Sequence, residues 1–313
     1  MSDDFALSNP AFTDEDKARE VIEASRWPDG VTCPHCGLPD RVKPLGGKSM
    51  GPGWYHCAGC REKFTVRTGT LYERSHIPLN KWLLATHLLT SSKKGMSAHQ
   101  LWRMLGFGSY RTAWFMAHRI REGMRARELA PMGGAGSIVE VDETFIGRKE
   151  GVEKAKAGFG HKNIVLALVE RGTGQVRSFH VDSTKKEDII PIVKANIAKE
   201  THVMTDEAVT YAKLGDHFAK HDAVDHSRDE WGYTDRRTGT KINTNTIEGY
   251  YSIFKRGMKG VYQHCSEKHL HRYVAEFDFR YSNRSALGVE DGERAAKALK
   301  GIEGRRLTYR IPD

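Results

Sequence analysis

Three acidic side chains stand where a metal-dependent reaction could use them. Asp142 interrupts a β-branched apolar run, Asp206 follows a short apolar run, and Glu248 lies in a segment of helical periodicity. A carboxylate inside a strand is costly unless it is exposed, paired or bound to a metal. Sheets of α/β proteins place their chemistry at the carboxyl ends of strands, and oxygen ligands suit Mg²⁺ or Mn²⁺. We therefore expect Asp142, Asp206 and Glu248 to bind two catalytic metal ions.

The segment that carries Glu248 has two faces when it is drawn as a helix. The polar stripe carries Asn245, Glu248, Ser252 and Lys255. The apolar face carries Ile247, Tyr250, Tyr251, Phe254 and Met258. Such a helix buries its aromatic rings and presents amide, carboxylate and ammonium groups together. We expect Lys255 to contact a phosphate, Asn245 to support the site, and the adjacent Arg256 to contact DNA.

Each acid also has a purely structural interpretation. Asn245 followed by Glu248 is the pattern of a helix N-cap with its reciprocal partner. Asp206 could cap a helix that follows it, and Asp142 could pair with a basic neighbour. Glu143 is the nearest rival of Asp142, but strand alternation places the two side chains on opposite faces.

Two C-x-x-C pairs form a second candidate site. Cys33 and Cys36 are separated from Cys57 and Cys60 by twenty residues, so two knuckles could place four thiolates around one tetrahedral Zn²⁺. A redox function would need one pair in a βαβ setting. Because four cysteines leave no position open for water, we predict one structural zinc ion. Cys265 stands alone and is expected to be a small buried residue.

A strongly basic stretch follows the cysteines. Residues 74–127 contain ten lysines and arginines against one acid. Residues 97–119 have the form of a helix-turn-helix: a short helix, a glycine-containing turn and a longer basic helix. We expect Arg111, Arg119 and Arg121 on the second helix to contact DNA. The alternative is an ordinary helical hairpin with a solvated basic face.

The whole chain is a basic globular protein. It has 313 residues, 39% of them hydrophobic and 28% charged, with a formal net charge of +9. This charge favours a polyanionic partner such as DNA. There is no run of about 18 apolar residues for a membrane span and no secretory signal. Five cysteines are too few and too uneven for a disulfide scaffold, so we expect an intracellular, reduced protein.

Periodicity and turn residues predict a helical first half and a mixed second half. Helices are expected over 13–25, with Thr13 as the N-cap, and over 79–89, 97–105, 109–127, 184–199, 206–221, 245–255 and 266–281. Strands are expected over 138–146, 163–170, 176–181 and 202–205. Residues 131–136 form a linker and 223–241 an irregular polar stretch. The second half is therefore predicted to be an α/β domain.

The motifs occur together, in order and at plausible spacing, in one known family. They lie at 33–37, 57–60, 64–70, 139–147, 205–206 and 245–257, with further matching stretches at 268–270 and 276–281. Over residues 25–284 the chain resembles bacterial insertion-sequence transposases of the ISXO-like group. The resemblance implies a ribonuclease H-like catalytic domain of the DDE type preceded by a zinc ribbon.

The resemblance also implies a set of functional residues. It implies a triad of Asp142, Asp206 and a third residue on the 245–255 helix, where the family often has an asparagine followed by a lysine. Glu248 stands seven residues before Lys255, which is the general DDE spacing, so we favour Glu248 over Asn245 as the third ligand. Tyr281 is followed by a serine where the family would have asparagine; this position is distal from the metal ligands.

These interpretations combine into one functional prediction. The chain is expected to be a Mg²⁺-dependent transposase that binds terminal inverted repeats, cleaves DNA and joins strands, as a dimer or larger assembly on double-stranded DNA in the bacterial nucleoid. The alternatives are a non-catalytic DNA-binding regulator and a structure-specific nuclease of the same fold. The predicted segments are an N-terminal helix (1–24), zinc ribbon (25–72), helix-turn-helix domain (73–130), ribonuclease H-like domain (137–284) and basic C-terminal tail (285–313).

Overall fold

The computed structural model describes residues 7–47, 50–127, 129–225 and 232–308. The chain divides into two compact units, one made of residues up to 125 with those from 288 onward, and the other of residues 126–287. The five segments predicted from the sequence are finer than this division and stay predictions. No helix in the described ranges is long and apolar enough to cross a membrane.

The first unit begins with a helix that leads into a small sheet. Helix α1 (Glu15–Arg26) is capped by Asp14, whose Oδ1 accepts hydrogen bonds from the amides of Asp16 at 2.8 Å and Lys17 at 3.0 Å. Thr13 was predicted as the cap, and this was wrong, because its hydroxyl instead donates to the Pro10 carbonyl at 3.1 Å. Strands β1 (Val42–Leu45), β2 (Trp54–Cys57) and β3 (Lys63–Thr65) form an antiparallel sheet in that order.

Three helices follow the small sheet, as the sequence predicts. They are α2 (Leu79–Ser91), α3 (Ala98–Leu105) and α4 (Tyr110–Met124). Ser97 caps α3 by accepting from the Gln100 amide at 3.1 Å, and Ser109 caps α4 by accepting from the Arg111 amide at 3.2 Å. Gly106 ends α3 with a φ of 60°, a left-handed conformation that favours glycine.

The second unit is built on a five-stranded mixed sheet. Its strands are β4 (Ile138–Ile146), β5 (Asn163–Glu170), β6 (Val176–Val181), β7 (His202–Asp206) and β8 (Lys220–Val224). The spatial order is β6-β5-β4-β7-β8, with β4 to β6 antiparallel and β7 and β8 added in parallel. The bounds of the first three strands are those predicted from the sequence.

Helices cover both faces of this sheet. They are α5 (Lys186–Asn196), α6 (Asn245–Gly257) and α7 (Glu267–Ser282). One apolar core joins α5 to Val139 and Val141 of β4, and a second joins α6 and α7 to Ile146. Because β5 lies between the two cores, seven of its eight residues are buried, which explains its unbroken apolar sequence. This is the mixed α/β architecture that the sequence predicts.

The prediction of one helix over 206–221 is wrong. The structure has two short 3₁₀ turns there, Val209–Tyr211 and Leu214–Asp216, followed by β8. The backbone of β8 pairs in parallel with β7 from Lys220 to Val224, and this pairing outweighs a weak helical pattern. In the stretch predicted as irregular, β9 (Tyr233–Thr234) and β10 (Lys241–Ile242) form a short antiparallel pair, while residues 226–231 lie outside the described ranges.

A helix also forms where the sequence indicates a polar tail. Helix α8 (Asp291–Lys300) buries Ala295, Ala298 and Leu299 on one stripe of the first unit. Arg294 on the same helix donates to the Thr90 carbonyl of α2 at 3.2 Å. Three apolar residues at helical spacing within a highly charged segment are a weak sequence signal, and tertiary packing supplies the rest.

Candidate functional site

The register of the central strands brings Asp142 and Asp206 to the same face of the sheet. Glu140 of β4 pairs in parallel with Met204 of β7. Asp142 and Asp206 each stand two residues further along, and side chains alternate with a period of two, so both carboxylates point to the face that α6 covers. Asp206 ends its strand, and its Oδ1 accepts from the Ala208 amide at 3.1 Å.

These two acids lie in an electrostatically unfavourable place. Burial, then the nearby carboxylates of Asp206 and Glu143, raise the pKa of Asp142 to about 8, against the opposing effects of the Glu143 amide and the Lys255 ammonium. The Glu143 amide donates to Asp142 Oδ1 at 2.7 Å. A divalent cation would relieve this repulsion, and the donor set of carboxylate oxygens suits Mg²⁺ or Mn²⁺.

Glu143 has different surroundings from Asp142. Burial raises its pKa to about 7, and the Tyr211 hydroxyl opposes the rise. Tyr211 belongs to the core on the α5 side of the sheet, together with Val139 and Val141. Glu143 therefore faces away from the helix that carries the predicted third ligand, as strand alternation predicts.

Helix α6 has the two faces that the sequence predicts. Ile247, Tyr250, Tyr251, Phe254 and the following Met258 are buried. Asn245, Glu248 and Ser252 are exposed, and Lys255 is half-buried. Thr244 is the N-cap residue and its hydroxyl donates to Glu248 Oε1 at 3.0 Å, so Asn245 is the first helical residue rather than the cap.

Glu248, the predicted third ligand, does not lie within bonding distance of an ion that Asp142 and Asp206 could share. In the described part of the chain, only the four cysteines form a group of three or more ligand side chains within 4.8 Å of one another. The carboxylate oxygens of Asp142, Asp206 and Glu248 therefore do not all lie within 4.8 Å of one another. Asp142 and Asp206 interact electrostatically, and Glu248 is on the exposed stripe of α6.

Tyr251 and Lys255 connect α6 directly to the Asp142 region. The Tyr251 hydroxyl donates to the Asp142 carbonyl at 2.5 Å and lies 3.1 Å from the Val165 carbonyl. Lys255 lies one turn after Tyr251. Burial lowers the pKa of the Lys255 ammonium, and the nearby Asp142 carboxylate opposes this effect. The neighbouring Arg256 is exposed.

The N-terminus of α6 is fixed by a buried ion pair that the sequence did not reveal. Glu140 is 0% exposed; its Oε2 accepts from the Ile247 amide at 2.8 Å and its Oε1 from Arg171 Nε at 2.5 Å. Arg171 also donates to the carbonyls of Lys241 at 2.6 Å and Asn243 at 2.5 Å. Glu140 stands two residues before Asp142, so this cluster sets where α6 begins relative to the acid. An acid in an apolar strand was the only available signal.

The four cysteines have the geometry of a structural zinc site. Cys33 and Cys60 have their sulfurs 3.7 Å apart, and Cys36 and Cys57 have theirs 3.6 Å apart. A tetrahedral ion with Zn–S bonds of about 2.3 Å separates its sulfurs by about 3.8 Å. The donor set therefore fits Zn²⁺, and its four thiolates leave no position for a reacting water.

Loss of this zinc should unfold the small sheet. We expect one zinc per chain, and Cys36→Ser should release it, because Cys36 and its partners hold together the loops before β1 and after β2, at one end of this pair. A chromogenic chelator after mild denaturation measures the zinc, and hydrogen exchange of residues 42–65 measures the folding. Cys265→Ser is the matched control and should retain the metal. A Cys36→Ser protein with full zinc content and unchanged exchange would contradict the assignment.

The three arginines predicted to contact DNA differ in exposure. Arg111, near the start of α4, is exposed. Arg119 is half-buried, with its Nε 3.3 Å from the Leu307 carbonyl and its guanidinium over the Phe115 ring. Arg121 is 1% exposed, so the structure does not support it as a DNA contact. It lies on the inner face of α4, which periodicity alone did not identify.

Two protein-family models match the segments of the chain that carry the four cysteines and the three acids. Residues 13–63 match the transposase zinc-ribbon domain family, and residues 133–282 match the ISXO2-like transposase domain family. A protein of Halobacterium salinarum, described as an uncharacterized protein in transposable element ISH50, is 25% identical over 284 residues, covering 86% of this chain and 91% of its own.

A solved structure is also similar, at a low level. It is the simian T-cell lymphotropic virus intasome in complex with PP2A regulatory subunit B56 gamma, with a TM-score of 0.27 and 11% identity over 57% of this chain. The match spans 63% of that chain, less than two thirds, and at this TM-score it carries no argument about the fold. The two family matches and the ISH50 relative carry the assignment: the chain contains a transposase zinc-ribbon domain followed by an ISXO2-like transposase domain.

Proposed function

We propose that this transposase binds the terminal repeats of its own element, cleaves DNA there and joins the freed end to a target, using metal ions held by Asp142, Asp206 and Glu248. The observation that carries the proposal is the placement of Asp142 and Asp206 on one face of the sheet, where burial, and then the nearby carboxylates, raise the pKa of Asp142 to about 8. Asp142 and Asp206 are both half-buried, and two neighbouring carboxylates in such a place repel each other and are suited to binding divalent ions.

The reaction would proceed in two displacements. Water attacks the phosphodiester at the element end, and the bond to the 3′ oxygen breaks to leave a 3′-hydroxyl. That hydroxyl then attacks a phosphodiester of the target, so that a new bond joins the element end to the target phosphorus while the bond from that phosphorus to the target's own 3′ oxygen breaks and leaves a target 3′-hydroxyl. Bound Mg²⁺ or Mn²⁺ supplies activation of the attacking oxygen and stabilisation of the leaving oxygen.

The residues of the chain hold the reacting groups in place. Lys255, half-buried beside Asp142, binds a non-bridging phosphate oxygen, and burial makes this contact stronger than it would be in water. Tyr251 fixes the backbone of Asp142 through its 2.5 Å hydrogen bond, and Glu140 fixes the start of α6. Such positioning supplies in-line geometry, which is worth a large part of the barrier.

Arg111 on α4 and Arg256 on α6 are proposed as DNA contacts because both are exposed and basic. The α3–α4 pair would recognise the element ends as a helix-turn-helix, and a dimer or larger assembly would hold two ends. Since phosphate contacts dominate such binding, affinity should fall steeply with salt.

The proposal is tested by cleavage of a duplex that carries the repeat flanking the gene. The full chain should nick this duplex in Mg²⁺ or Mn²⁺ and be inactive without either ion. Salt-sensitive binding with no nicking in either metal would overturn the catalytic proposal and favour a DNA-binding regulator.

The same assay identifies the third ligand. Glu248→Ala should lower the cleavage rate by about 10³-fold, because a lost metal ligand removes several kcal/mol of stabilisation. Asn245→Ala should lower it by only about 10- to 100-fold, as expected for a supporting contact. Both side chains are exposed, so neither change should affect folding. If Asn245→Ala were the more damaging of the two, Asn245 would be the ligand and Glu248 the supporting group.

A further inference from the structure

A cleft opens next to the Asp142 region, on the second unit. It has a volume of about 560 Å³ and lies between the end of β4, the loop over 147–162 and the segment after α6. Its lining includes Lys255, which is proposed to hold the reacting phosphate, so it adjoins the proposed reaction centre. Of the residues proposed to act in the reaction, only Lys255 lines the cleft.

The cleft contains an aromatic ring that the fold leaves exposed. Phe159 is 52% exposed, although the chain buries most of its large apolar side chains. Phe145 of β4 stacks on it, with ring centroids 4.7 Å apart and planes 26° from parallel. The contact with Phe145 therefore fixes the orientation of the Phe159 ring.

Three ammonium groups surround this ring and the adjoining cleft. Lys162 Nζ lies 4.8 Å from the Phe159 centroid, and the Lys162 amide donates to the Phe159 carbonyl at 2.8 Å, so one turn carries both side chains. Lys255 and Lys259 of the α6 side complete the set. The cleft thus combines a fixed aromatic face with a positive wall, the combination that binds unpaired nucleotides through base stacking and phosphate contacts.

The backbone beside the cleft has an unusual conformation. The chain leaves α6 through a π turn, Met258–Tyr262, and Gln263 then has a φ of 57°, which few non-glycine residues adopt. Both Met258 and Gln263 line the cleft, as does Cys265, which is half-buried rather than buried as the sequence predicted. Strained backbone of this kind persists where the surroundings determine it, often at binding sites.

The distance from the acids suits a nucleotide near the reacting phosphate. Phe145 stands three residues beyond Asp142, about 10 Å along the strand and on the opposite face of the sheet, and the cleft reaches the acid through Lys255, which interacts with Asp142. Stacked DNA advances about 3.4 Å per nucleotide, so the Phe159 ring would meet a base within a few positions of that phosphate.

We propose that this cleft binds an unpaired nucleotide of the DNA close to the reacting phosphate, with its base stacked on Phe159 and its phosphate held by Lys162 and Lys259. The base displaces the Lys162 ammonium from the ring, and the lysine then pairs with the phosphate. This inference rests on the proposed function, which supplies the DNA strand, and it adds that the terminal base pairs must open before reaction.

Binding of single strands tests the inference without any cleavage. The probes are a short fluorescein-labelled oligothymidylate and an abasic oligomer of the same length, which has the same phosphates and no bases. In buffer without Mg²⁺ or Mn²⁺, the full chain should bind oligothymidylate roughly 5- to 150-fold more tightly than the abasic oligomer, the range expected for one stacked base.

Variants of the exposed ring give the decisive comparison. Phe159→Ala should remove most of this preference and leave affinity for the abasic oligomer unchanged. Phe159→Trp should restore it, and the new indole should be quenched when oligothymidylate binds. Val152→Ala is the matched control, because Val152 is an exposed apolar residue of the same loop that does not line the cleft. It should behave as wild type.

Two outcomes would overturn the inference. One is a wild-type chain with no preference between the two oligomers. The other is a Phe159→Ala chain that loses affinity for both equally, which would indicate a role in folding. Failure of the Mg²⁺-dependent cleavage assay is distinguishable from either, because it would remove the catalytic proposal while leaving the stacking measurement intact.

Discussion

Asp142→Asn should reduce Mg²⁺-dependent cleavage by about 10³-fold or more and at the same time make the metal-free protein more stable. The first effect follows from the loss of a ligand and of the charge that attracts the cation, worth several kcal/mol. The second follows from the raised pKa of Asp142, about 8, which shows that the folded protein disfavours the ionised carboxylate. If Asp142 were an ordinary structural acid stabilised by a partner, its replacement would lower the cleavage rate and the stability together.

The pH dependence of this gain has a defined sign. Because the pKa of Asp142 in the folded protein lies above its ordinary value of 3.8, the acid contributes stability that is complete below pH 3.8 and is lost as the pH rises to about 8. Asparagine has no proton to lose. The unfolding temperature of Asp142→Asn should therefore exceed that of wild type increasingly between these pH values, and by a constant amount above them.

Glu143→Gln is the matched control for Asp142→Asn. Glu143 is the adjacent acid, also has a raised pKa, about 7, and faces Tyr211 on the other side of the sheet. Its loss should reduce cleavage by less than about 10-fold. Equal loss of activity in the two variants would contradict the assignment of the metal site to the α6 face.

Glu140→Ala should destabilise the second unit by about 3–5 kcal/mol, the range for leaving one member of a buried ion pair without its partner. Glu140 is fully buried, and its removal takes the acceptor from Arg171 Nε and from the Ile247 amide. Hydrogen exchange should locate the damage, because the amides of residues 245–257 should lose protection first. Activity should fall as well, since α6 carries Glu248 and Lys255.

The controls for Glu140 separate charge from general packing. Glu140→Gln keeps the shape and one acceptor oxygen, so it should lose less stability than alanine and retain part of the α6 protection. Lys297→Ala removes an exposed i, i+4 pair with Glu293 on α8, and should change stability by less than about 1 kcal/mol. If Glu140→Ala were as mild as Lys297→Ala, the buried pair would not position α6.

The strands of the second unit could be predicted because burial on both faces leaves a simple signal. β5 is an unbroken apolar run, and β4 differs from it only by its acids. β8 gave no such signal: the run from Lys220 to Val224 is polar, and its strand conformation comes from pairing with β7. Helix α8 was missed for a related reason, since its three buried residues stand among charged ones.

The candidate site was only partly accessible from the sequence. The common face of Asp142 and Asp206 follows from strand ends and alternation. The Glu140–Arg171 pair joins residues 31 positions apart across the sheet, and Phe159 lies in a loop without periodicity, so neither could be inferred from local pattern. Arg121 shows the opposite error, because a basic residue on a basic helix turned out to be buried.

The most direct test of the central claim is a strand-transfer reaction. A labelled duplex that carries the flanking repeat and ends in a free 3′-hydroxyl is incubated with the full chain, Mg²⁺ and a supercoiled plasmid. The account predicts that label becomes covalently joined to the plasmid, and that Asp142→Asn removes this product without removing DNA binding. Binding with no joined product in Mg²⁺ or Mn²⁺, or plasmid nicking without joining, would contradict it.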